Sequence, residues 1–271
     1  MKITAGTFFL NPLALDYPIV EWVESVLGFC DEVILVDMGS SDSTCQVLSS
    51  RFGEKIKIIK EPWQFSKTYH EGIPRNVILR TASNPWVYLT DSDEFLHEKY
   101  HDKVESLTEQ KDWDIFRFPT ITYYGSCYVI CKREKRSKMA LIRKEKGFYF
   151  GPLNDKGTSA ADTLKLYSKA ARKVAKWKDS GMCLVDYGRC RFPEARMRSV
   201  DFFVKQDQAR RGLEPVGMTN SVPGGMGNKK EDYIIPYPDL SCGDYEVRKD
   251  AHPKVLLSWI RKHWKSHGWE V

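Results

Sequence analysis

Residues 1–100 alternate between two hydrophobic periods, and this alternation restricts the fold more than any other feature of the chain. Apolar runs typical of β-strands are ITAGTFF (3–9), EVILVD (32–37), KIKII (55–59) and WVYLTD (86–91). Between them, apolar residues recur at helical spacing in PIVEWVESVLGF (18–29), SDSTCQVLSSRFG (41–53) and EGIPRNVILRTA (71–82). This order predicts βαβ units, and hence an α/β fold with a mostly parallel sheet and right-handed crossovers.

Two strands of this predicted sheet end in carboxylates. Asp37 closes the second apolar run, and Asp91 closes the fourth, with Asp93 and Glu94 directly after it. Parallel strands present their carboxyl ends at one edge of the sheet, where open α/β sheets bind ligands. Both acidic positions are therefore predicted to lie beside a binding crevice.

The acidic cluster TDSDE (90–94) has three interpretations. It can be a solvated turn, since Asp and Ser favour turns. It can also precede a helix that begins near Glu94, where carboxylates offset the helix dipole. The third interpretation is a divalent-metal site with oxygen ligands from two Asp side chains, because clustered carboxylates repel one another unless a cation binds between them. The neighbouring motif VDMGSSDST (36–44) on the same edge favours the third interpretation.

The composition limits the class of protein and the cellular compartment in which it is expected. With 42 Lys and Arg against 36 Asp and Glu, the chain carries a formal net charge of +6, a mild excess that suits phosphate-bearing ligands. A hydrophobic content of 42% argues against global disorder. The seven cysteines include no Cys-x-x-Cys pair, which predicts free thiols in a reducing, cytoplasmic compartment. Neither a signal peptide nor a transmembrane helix is expected.

Beyond residue 100 the alternation of strand-like and helix-like periodicity is weaker. DIFRFPTITYYGSCYVICK (114–132) predicts one or two strands, and MALIRKEKGFYFGPLNDKGTSAAD (139–162) mixes strand with a glycine-rich loop. SVDFFVKQDQARRG (199–212) predicts a helix that ends at Gly212, and residues 213–250 are rich in Gly and Pro. The predicted organisation is one domain over residues 1–200, with halves 1–100 and 101–200, and a C-terminal helical and loop extension over residues 201–271.

The C-terminal stretch HPKVLLSWIRKHWKSHGWEV (252–271) is basic and aromatic. Four of its residues share one helical face: Leu256, Trp259, Ile260 and His263. This pattern favours an amphipathic helix that packs back on the domain, with peripheral contact to the inner face of an anionic membrane as the alternative. No nucleic-acid partner is expected, because no RNA- or DNA-binding motif accompanies the basic residues.

Three motifs, in their order and spacing, resemble family 2 glycosyltransferases of the GT-A fold. They are DEVILVDMGSSDST (31–44), EPWQFSKTYHEGIPRN (61–76) and NPWVYLTDSDEFL (84–96). The resemblance covers roughly residues 1–100 and implies a GT-A-like, Rossmann-type sheet flanked by helices. It also implies transfer of a sugar, with inversion, from a nucleotide-diphosphate donor such as a UDP-sugar to an acceptor hydroxyl. The acceptor, whether a glycan, a lipid-linked molecule or a protein, is not specified by these motifs.

The resemblance assigns roles to matching positions. Asp37 corresponds to the residue that contacts the base or ribose, and Arg75 falls where a basic residue meets the nucleotide. Asp91 and Asp93 match the Asp-x-Asp pair that binds Mn²⁺ or Mg²⁺. Met38 departs from the pattern, since many family members have a second Asp there, and this weakens the expectation for base recognition.

The second half of the chain supplies less specific candidates for the catalytic base and for contacts with the leaving diphosphate. An inverting transfer needs a base that takes the proton of the acceptor hydroxyl. Asp155 in FGPLNDKG (150–157) is the first candidate, and Glu194 and Asp162 are its rivals. Arg191 in VDYGRCRFPEARMRS (185–199) is a candidate for stabilising the leaving diphosphate, and Asp186 stands where related sequences often have His.

Two alternatives to a glycosyltransferase remain open. A sugar-phosphate nucleotidyltransferase shares the layout but needs a basic, Gly-rich loop after the first strand, which FFLNPLALDYP (8–18) does not provide. A non-catalytic nucleotide- or carbohydrate-binding protein of the same fold is the other alternative. Asp91 and Asp93 argue against it, since a binding module has little use for a repulsive pair of carboxylates.

Overall fold

A computed structural model describes most of the first half of the chain and parts of the second. The described residues are 2–66, 71–132, 136–150, 166–168, 175–210, 212, 214, 245–247 and 252–266. The strands are β1 (Ile3–Phe9), β2 (Glu32–Asp37), β3 (Ile56–Lys60), β4 (Trp86–Leu89), β5 (Glu94–Leu96), β6 (Ile115–Tyr124), β7 (Val129–Cys131), β8 (Arg136–Arg143), β9 (Phe148–Phe150), β10 (Leu166–Ser168), β11 (Trp177–Asp179), β12 (Leu184–Arg189) and β13 (Tyr245–Val247). The helices are α1 (Ile19–Val26), α2 (Thr44–Phe52), α3 (Gly72–Thr81), α4 (His101–Thr108), α5 (Pro193–Arg210) and α6 (Leu257–Ser266).

The first part of the sheet is parallel, as the sequence predicts. Its strands lie in the order β3, β2, β1, β4, and each pairs in parallel with its neighbours. The central residues of β2, Val33 to Val36, are all buried. This fits a strand that is covered on both faces of the sheet. Asp37 and Asp91 therefore lie at the same carboxyl edge.

The second part of the sheet departs from the parallel prediction. β8 lies antiparallel between β4 and β6, and β12 runs parallel to β6 and antiparallel to β5. β7 pairs antiparallel with β6 and β13, and β9 pairs antiparallel with β10. The fold is mixed α/β: the parallel strands carry the ligand edge, and β8 continues the sheet beyond β4.

The segment after the acidic cluster is a strand and not the start of a helix. Glu94, Phe95 and Leu96 form β5 and are buried. They pair antiparallel with β12, which satisfies their backbone groups. The interpretation of the cluster as a helix N-terminus is therefore wrong.

Two helices from the C-terminal part pack onto this framework. α5 begins at Pro193, earlier than the predicted start at 199, and ends at Arg210. The face predicted for the C-terminal helix is buried: Leu256, Trp259, Ile260 and His263. The helix thus packs on the domain, whereas the boundary at residue 200 stays a prediction. Among the described residues, no helix is long and apolar enough to span a membrane.

A buried charge pair joins α6 to the loop that follows β1. Both ring nitrogens of His263 face acceptors: Nδ1 lies 2.7 Å from the carbonyl oxygen of Trp259, and Nε2 contacts Asp16 Oδ2. The ring of His263 is therefore held between a carbonyl oxygen of its own helix and the carboxylate of Asp16. Lys262 Nζ lies 3.3 Å from Asp16 Oδ1. Burial alone would raise the pKa of Asp16, but the hydrogen bond and charge of His263, with Lys262, lower it below 3.8.

Replacing Asp16 should weaken this link in a pH-dependent way. Asp16→Asn should lower the free energy of unfolding at pH 7 by about 2 kcal/mol, because His263 and Lys262 lose the carboxylate that they contact. A carboxyl whose pKa is lower in the folded state stabilises the fold above its unfolded pKa, and that contribution is lost as pH falls through the folded pKa. Urea unfolding of both proteins between pH 7 and pH 3 should therefore give a difference that shrinks toward pH 3.

Asp112→Asn is the matched control, since Asp112 is exposed in a turn. It should leave the free energy of unfolding within about 0.5 kcal/mol of the wild-type value. A destabilisation by Asp16→Asn that is the same at pH 7 and at pH 3 would contradict the assigned charge pair.

Candidate functional site

A cavity of about 220 Å³ opens at the carboxyl edge of the parallel strands. Its walls come from the end of β1, the loop that follows it, the residue after β2, and α5. Apolar and aromatic side chains form most of the lining: Phe8, Pro12, Leu15, Tyr17, Met38 and Phe202. Asp91 and Asp93 lie on its polar side. The cavity therefore offers a mostly apolar compartment beside two carboxyl groups.

Helix α5 and the segment after β3 cover this cavity with aromatic rings. Trp63 and Phe202 both line it, and their ring centroids are 5.2 Å apart. The Trp63 Nε1–H donates to Gln206 Oε1 at 2.6 Å, which fixes the indole against α5. The exposed Phe65 adds a second contact with Phe202, at 5.5 Å between centroids. This arrangement places three aromatic rings at that side of the cavity.

Two cations hold the carboxylate of Asp91, one on each oxygen. Arg75 Nη2 donates to Oδ1 at 2.8 Å, and Lys138 Nζ donates to Oδ2 at 2.6 Å. Lys138 also forms an ion pair with Glu94 Oε2, which accepts the backbone N–H of Asp91 at 2.9 Å. The side chains of Arg75 and Lys138 are only 9% and 11% exposed. The expected repulsion is therefore largely balanced at Asp91 by the chain itself.

The pKa values of Asp91 and Glu94 are shifted in opposite directions. Burial alone would raise the pKa of Asp91, but Lys138 and Arg75 bring it well below its usual range. Burial raises the pKa of Glu94 to about 7, with Lys138 opposing the shift and Asp91 and Asp186 adding to it. Asp91 is therefore anionic at neutral pH, whereas Glu94 exchanges its proton near neutral pH.

The contacts of the Asp93 carboxylate differ from those of Asp91. Its carboxylate has no hydrogen bond or ion pair with any residue that the structure describes. Burial raises its pKa well above the usual range, and the charge of Asp186 adds to that shift. Asp186 is itself held by the backbone N–H of Gly188 at 2.8 Å and by the Thr122 hydroxyl at 3.3 Å.

Gly188 allows these two carboxylates to approach one another. A Cβ atom at this position would lie 2.3 Å from Asp93 Oδ2 and 3.2 Å from Asp186 Oδ1. Any larger residue would push the Asp93 side chain away from the end of β12. Asp93 and Asp186 thus place carboxyl oxygens close together, and Arg136 Nη1 lies 3.9 Å from Asp186 Oδ2.

Asp37 has a structural role that its position in the sequence does not reveal. Its Oδ1 accepts the backbone N–H groups of Gly39 at 3.2 Å and Ser40 at 2.8 Å, and its Oδ2 lies 3.4 Å from Cys45 Sγ. Gly39 has a φ of 97°, a conformation that favours glycine. The carboxylate therefore closes the turn between β2 and α2, while Met38 lines the cavity. A contact between Asp37 and a nucleotide stays a prediction.

Arg191 is built into the frame of the site. Its Nε donates to the carbonyl oxygen of Gly188, and its Nη1 donates to the carbonyl oxygen of Leu15 and to Ser199 Oγ, each at 2.8 Å. Its guanidinium also lies 3.7 Å from the centroid of the Tyr17 ring. These contacts join β12, the loop after β1 and α5, so Arg191 fixes the walls of the cavity.

The predicted catalytic base is not placed by the structure. Asp155 and its rival Asp162 fall outside the described residues. Glu194 is exposed in the first turn of α5. Within the described ranges, no group of three or more His, Cys, Asp or Glu residues is arranged to hold a metal ion.

Sequence reasoning misses Lys138. The segment RSKMALIR (136–143) places Arg136, Lys138 and Ala140 on one face of β8 by alternation. A lysine beside an apolar run on the inward face is a recognisable signal. The partner of that lysine is not recognisable, because it depends on the antiparallel pairing of β8 with β4.

The role of Asp37 can be separated from ligand binding by two substitutions. Asp37→Ala should lower the free energy of unfolding by about 2 kcal/mol, because two backbone N–H groups of the turn lose their acceptor. Asp37→Asn keeps an oxygen at Oδ1 and should lose less than half as much. Chemical denaturation of the three proteins without ligand measures both values, and equal stability of Asp37→Ala and wild type would contradict the structural role.

The chain is similar to known glycosyltransferases over part of its length. No family model matches it. It is 30% identical over 126 residues to the lipopolysaccharide core biosynthesis glycosyltransferase LpsC of Rhizobium meliloti (strain 1021), and the match covers 44% of this chain and 44% of LpsC. The match thus spans less than half the length of this curated relative.

Solved structures show a more distant likeness. The crystal structure of S. aureus TarS 1–349 has a TM-score of 0.47 and 16% identity, and the match covers 77% of this chain and 66% of that one. HddC from Yersinia pseudotuberculosis has a TM-score of 0.43 and 11% identity, and the match covers 75% of this chain and 100% of that one. No shared substrate follows from values this low. The similarity to LpsC, by contrast, confirms the resemblance to glycosyltransferases that the sequence motifs indicate.

Proposed function

We propose that this chain is a glycosyltransferase of the family 2 type, which transfers a sugar from a nucleotide-diphosphate donor to an acceptor hydroxyl. The observation that carries the proposal is Asp93, a carboxylate without a described partner at the edge of an aromatic cavity. The similarity to the LpsC glycosyltransferase over 126 residues supports it independently.

The shape and polarity of the cavity fit a nucleotide. A nucleobase is flat and largely apolar on its faces, so it suits the space between Met38, Tyr17 and Phe202. The diphosphate of the same ligand would then lie toward Asp91 and Asp93, at the carboxyl edge of the sheet. A UDP-sugar is the donor that we propose, since the sequence motifs resemble enzymes that use such donors.

The residues of the site fit a divalent cation at Asp93. Hard cations such as Mn²⁺ and Mg²⁺ prefer carboxylate oxygens, and Asp93 and Asp186 provide two of them side by side. When bound, the cation would neutralise charge on the departing nucleotide diphosphate. Both oxygens of Asp91 already accept hydrogen bonds from Arg75 and Lys138, so a cation would have to compete with these two side chains for them.

The protein itself would position the donor and limit water at the reaction site. Trp63 and Phe202 cover the cavity, and exclusion of water strengthens the electrostatic interactions inside it. An inverting transfer also needs a base that removes the proton of the acceptor hydroxyl. Asp155 stays our candidate for this base by its position in the sequence.

Thermal unfolding with nucleotides tests the proposal directly. The melting temperature should be measured with UDP, GDP and dTDP, each with and without Mn²⁺. UDP at about 100 times its dissociation constant should stabilise the protein by about 2.7 kcal/mol, and only when Mn²⁺ is present. Asp93→Asn should remove this stabilisation, whereas the exposed Asp112→Asn should retain it.

Two results would contradict the proposal. The first is a folded wild-type protein whose melting temperature responds to no nucleotide. The second is a protein that binds UDP and Mn²⁺ yet never releases UDP from a UDP-sugar, either to water or to a panel of acceptors. That second result would favour a nucleotide-binding protein without transferase activity.

A further inference from the structure

Lys138 is a buried cation beneath the acidic cluster, and the glycosyltransferase mechanism above does not use it. It lies in β8 opposite Phe118 of β6, and its side chain is 11% exposed. Its ammonium bonds to Asp91 Oδ2 at 2.6 Å and contacts Glu94 Oε2. It is not among the residues that line the cavity. Lys138 therefore acts on the site through the carboxylates that it holds and through its charge.

These contacts determine which carboxylate is available to an incoming cation. Arg75 holds the other oxygen of Asp91, so both oxygens of that carboxylate are already engaged. A divalent cation that approaches Asp91 meets the like charge of Lys138 at close range. Asp93 faces the cavity and has no hydrogen bond or ion pair with a residue that the structure describes, and the nearest cationic influence on it is the charge of Arg191.

We infer that Lys138 is a positioning residue, a permanent counter-ion that makes binding of a divalent cation to the acidic cluster weak until a diphosphate is present. The inference rests on the proposed function. The diphosphate adds negative charge on the cavity side, which offsets the repulsion between the lysine and the divalent cation. Donor and cation would therefore bind cooperatively, and the empty site would take up little metal.

Titration of Mn²⁺ in the absence of nucleotide tests this inference. Free Mn²⁺ is measured by electron paramagnetic resonance at neutral pH for the wild type, for Lys138→Met and for Lys57→Met. Removal of the Lys138 charge should tighten Mn²⁺ binding on the order of tenfold. Lys57 is an exposed lysine of β3, and its substitution should change nothing.

A second variant covers the case in which Lys138→Met does not fold. Lys138→Met combined with Glu94→Gln removes the lysine together with one carboxylate and keeps the pair between Arg75 and Asp91. It should also bind Mn²⁺ more tightly than the wild type does. Lys138→Arg keeps the charge and should bind Mn²⁺ as weakly as the wild type does, whereas a purely steric role predicts weak binding by the similarly sized Lys138→Met as well. Thermal unfolding without ligand confirms that each variant is folded.

The outcomes separate this inference from the proposed function. Unchanged Mn²⁺ affinity in both charge-removing variants would overturn the role of Lys138, even if the wild type binds UDP with Mn²⁺. Tighter Mn²⁺ binding by the variants, together with a smaller increase in Mn²⁺ affinity when UDP is added, would support the role of Lys138. Tighter Mn²⁺ binding in the variants of a protein that binds no nucleotide would support the counter-ion role and overturn the proposed function.

Discussion

The site depends on the balance of buried charge around Asp91. An unpaired charge in a shielded position is strongly unfavourable, so each carboxylate of the cluster requires a partner or a proton. Arg75 comes from α3 and Lys138 from β8, and both bind Asp91, the second residue after β4. The network thus joins a helix of the parallel half to a strand of the antiparallel half. It also leaves Asp93 as the carboxylate that most needs a cation.

The cavity beside this network is assembled from distant parts of the chain. α5 supplies Phe202, and the loop after β1 supplies Tyr17. Arg191 holds these parts together through three hydrogen bonds and its contact with Tyr17, and His263 anchors the same loop from α6. A helix near the C-terminus therefore shapes a site whose motifs all lie in the first hundred residues. This explains why the residues from 101 onward carry so little recognisable signal and still matter for the site.

Much of the parallel half is predictable from the sequence, because local periodicity determines it. β1 coincides with its apolar run, and α3 with its helical pattern to within a residue at each end. The position of Asp91 at the carboxyl edge follows from strand order alone. The second half is less predictable, since its antiparallel pairings and the early start of α5 arise from contacts between distant residues. The extended state of Glu94 likewise depends on β12, ninety residues away in the chain.

By itself, the sequence determined the βαβ order, the edge of the sheet that carries the site, and the motifs shared with glycosyltransferases. Those features depend on residues close together in the chain, whose spacing is visible without a structure. Only the tertiary structure decided how the charges are distributed. In the structure, Asp91 pairs with Arg75 and Lys138. Asp37 accepts hydrogen bonds within a turn, and Asp93 faces the cavity near Asp186. Ion pairs and register form between elements far apart in sequence, so no local pattern specifies which carboxylate faces the cavity.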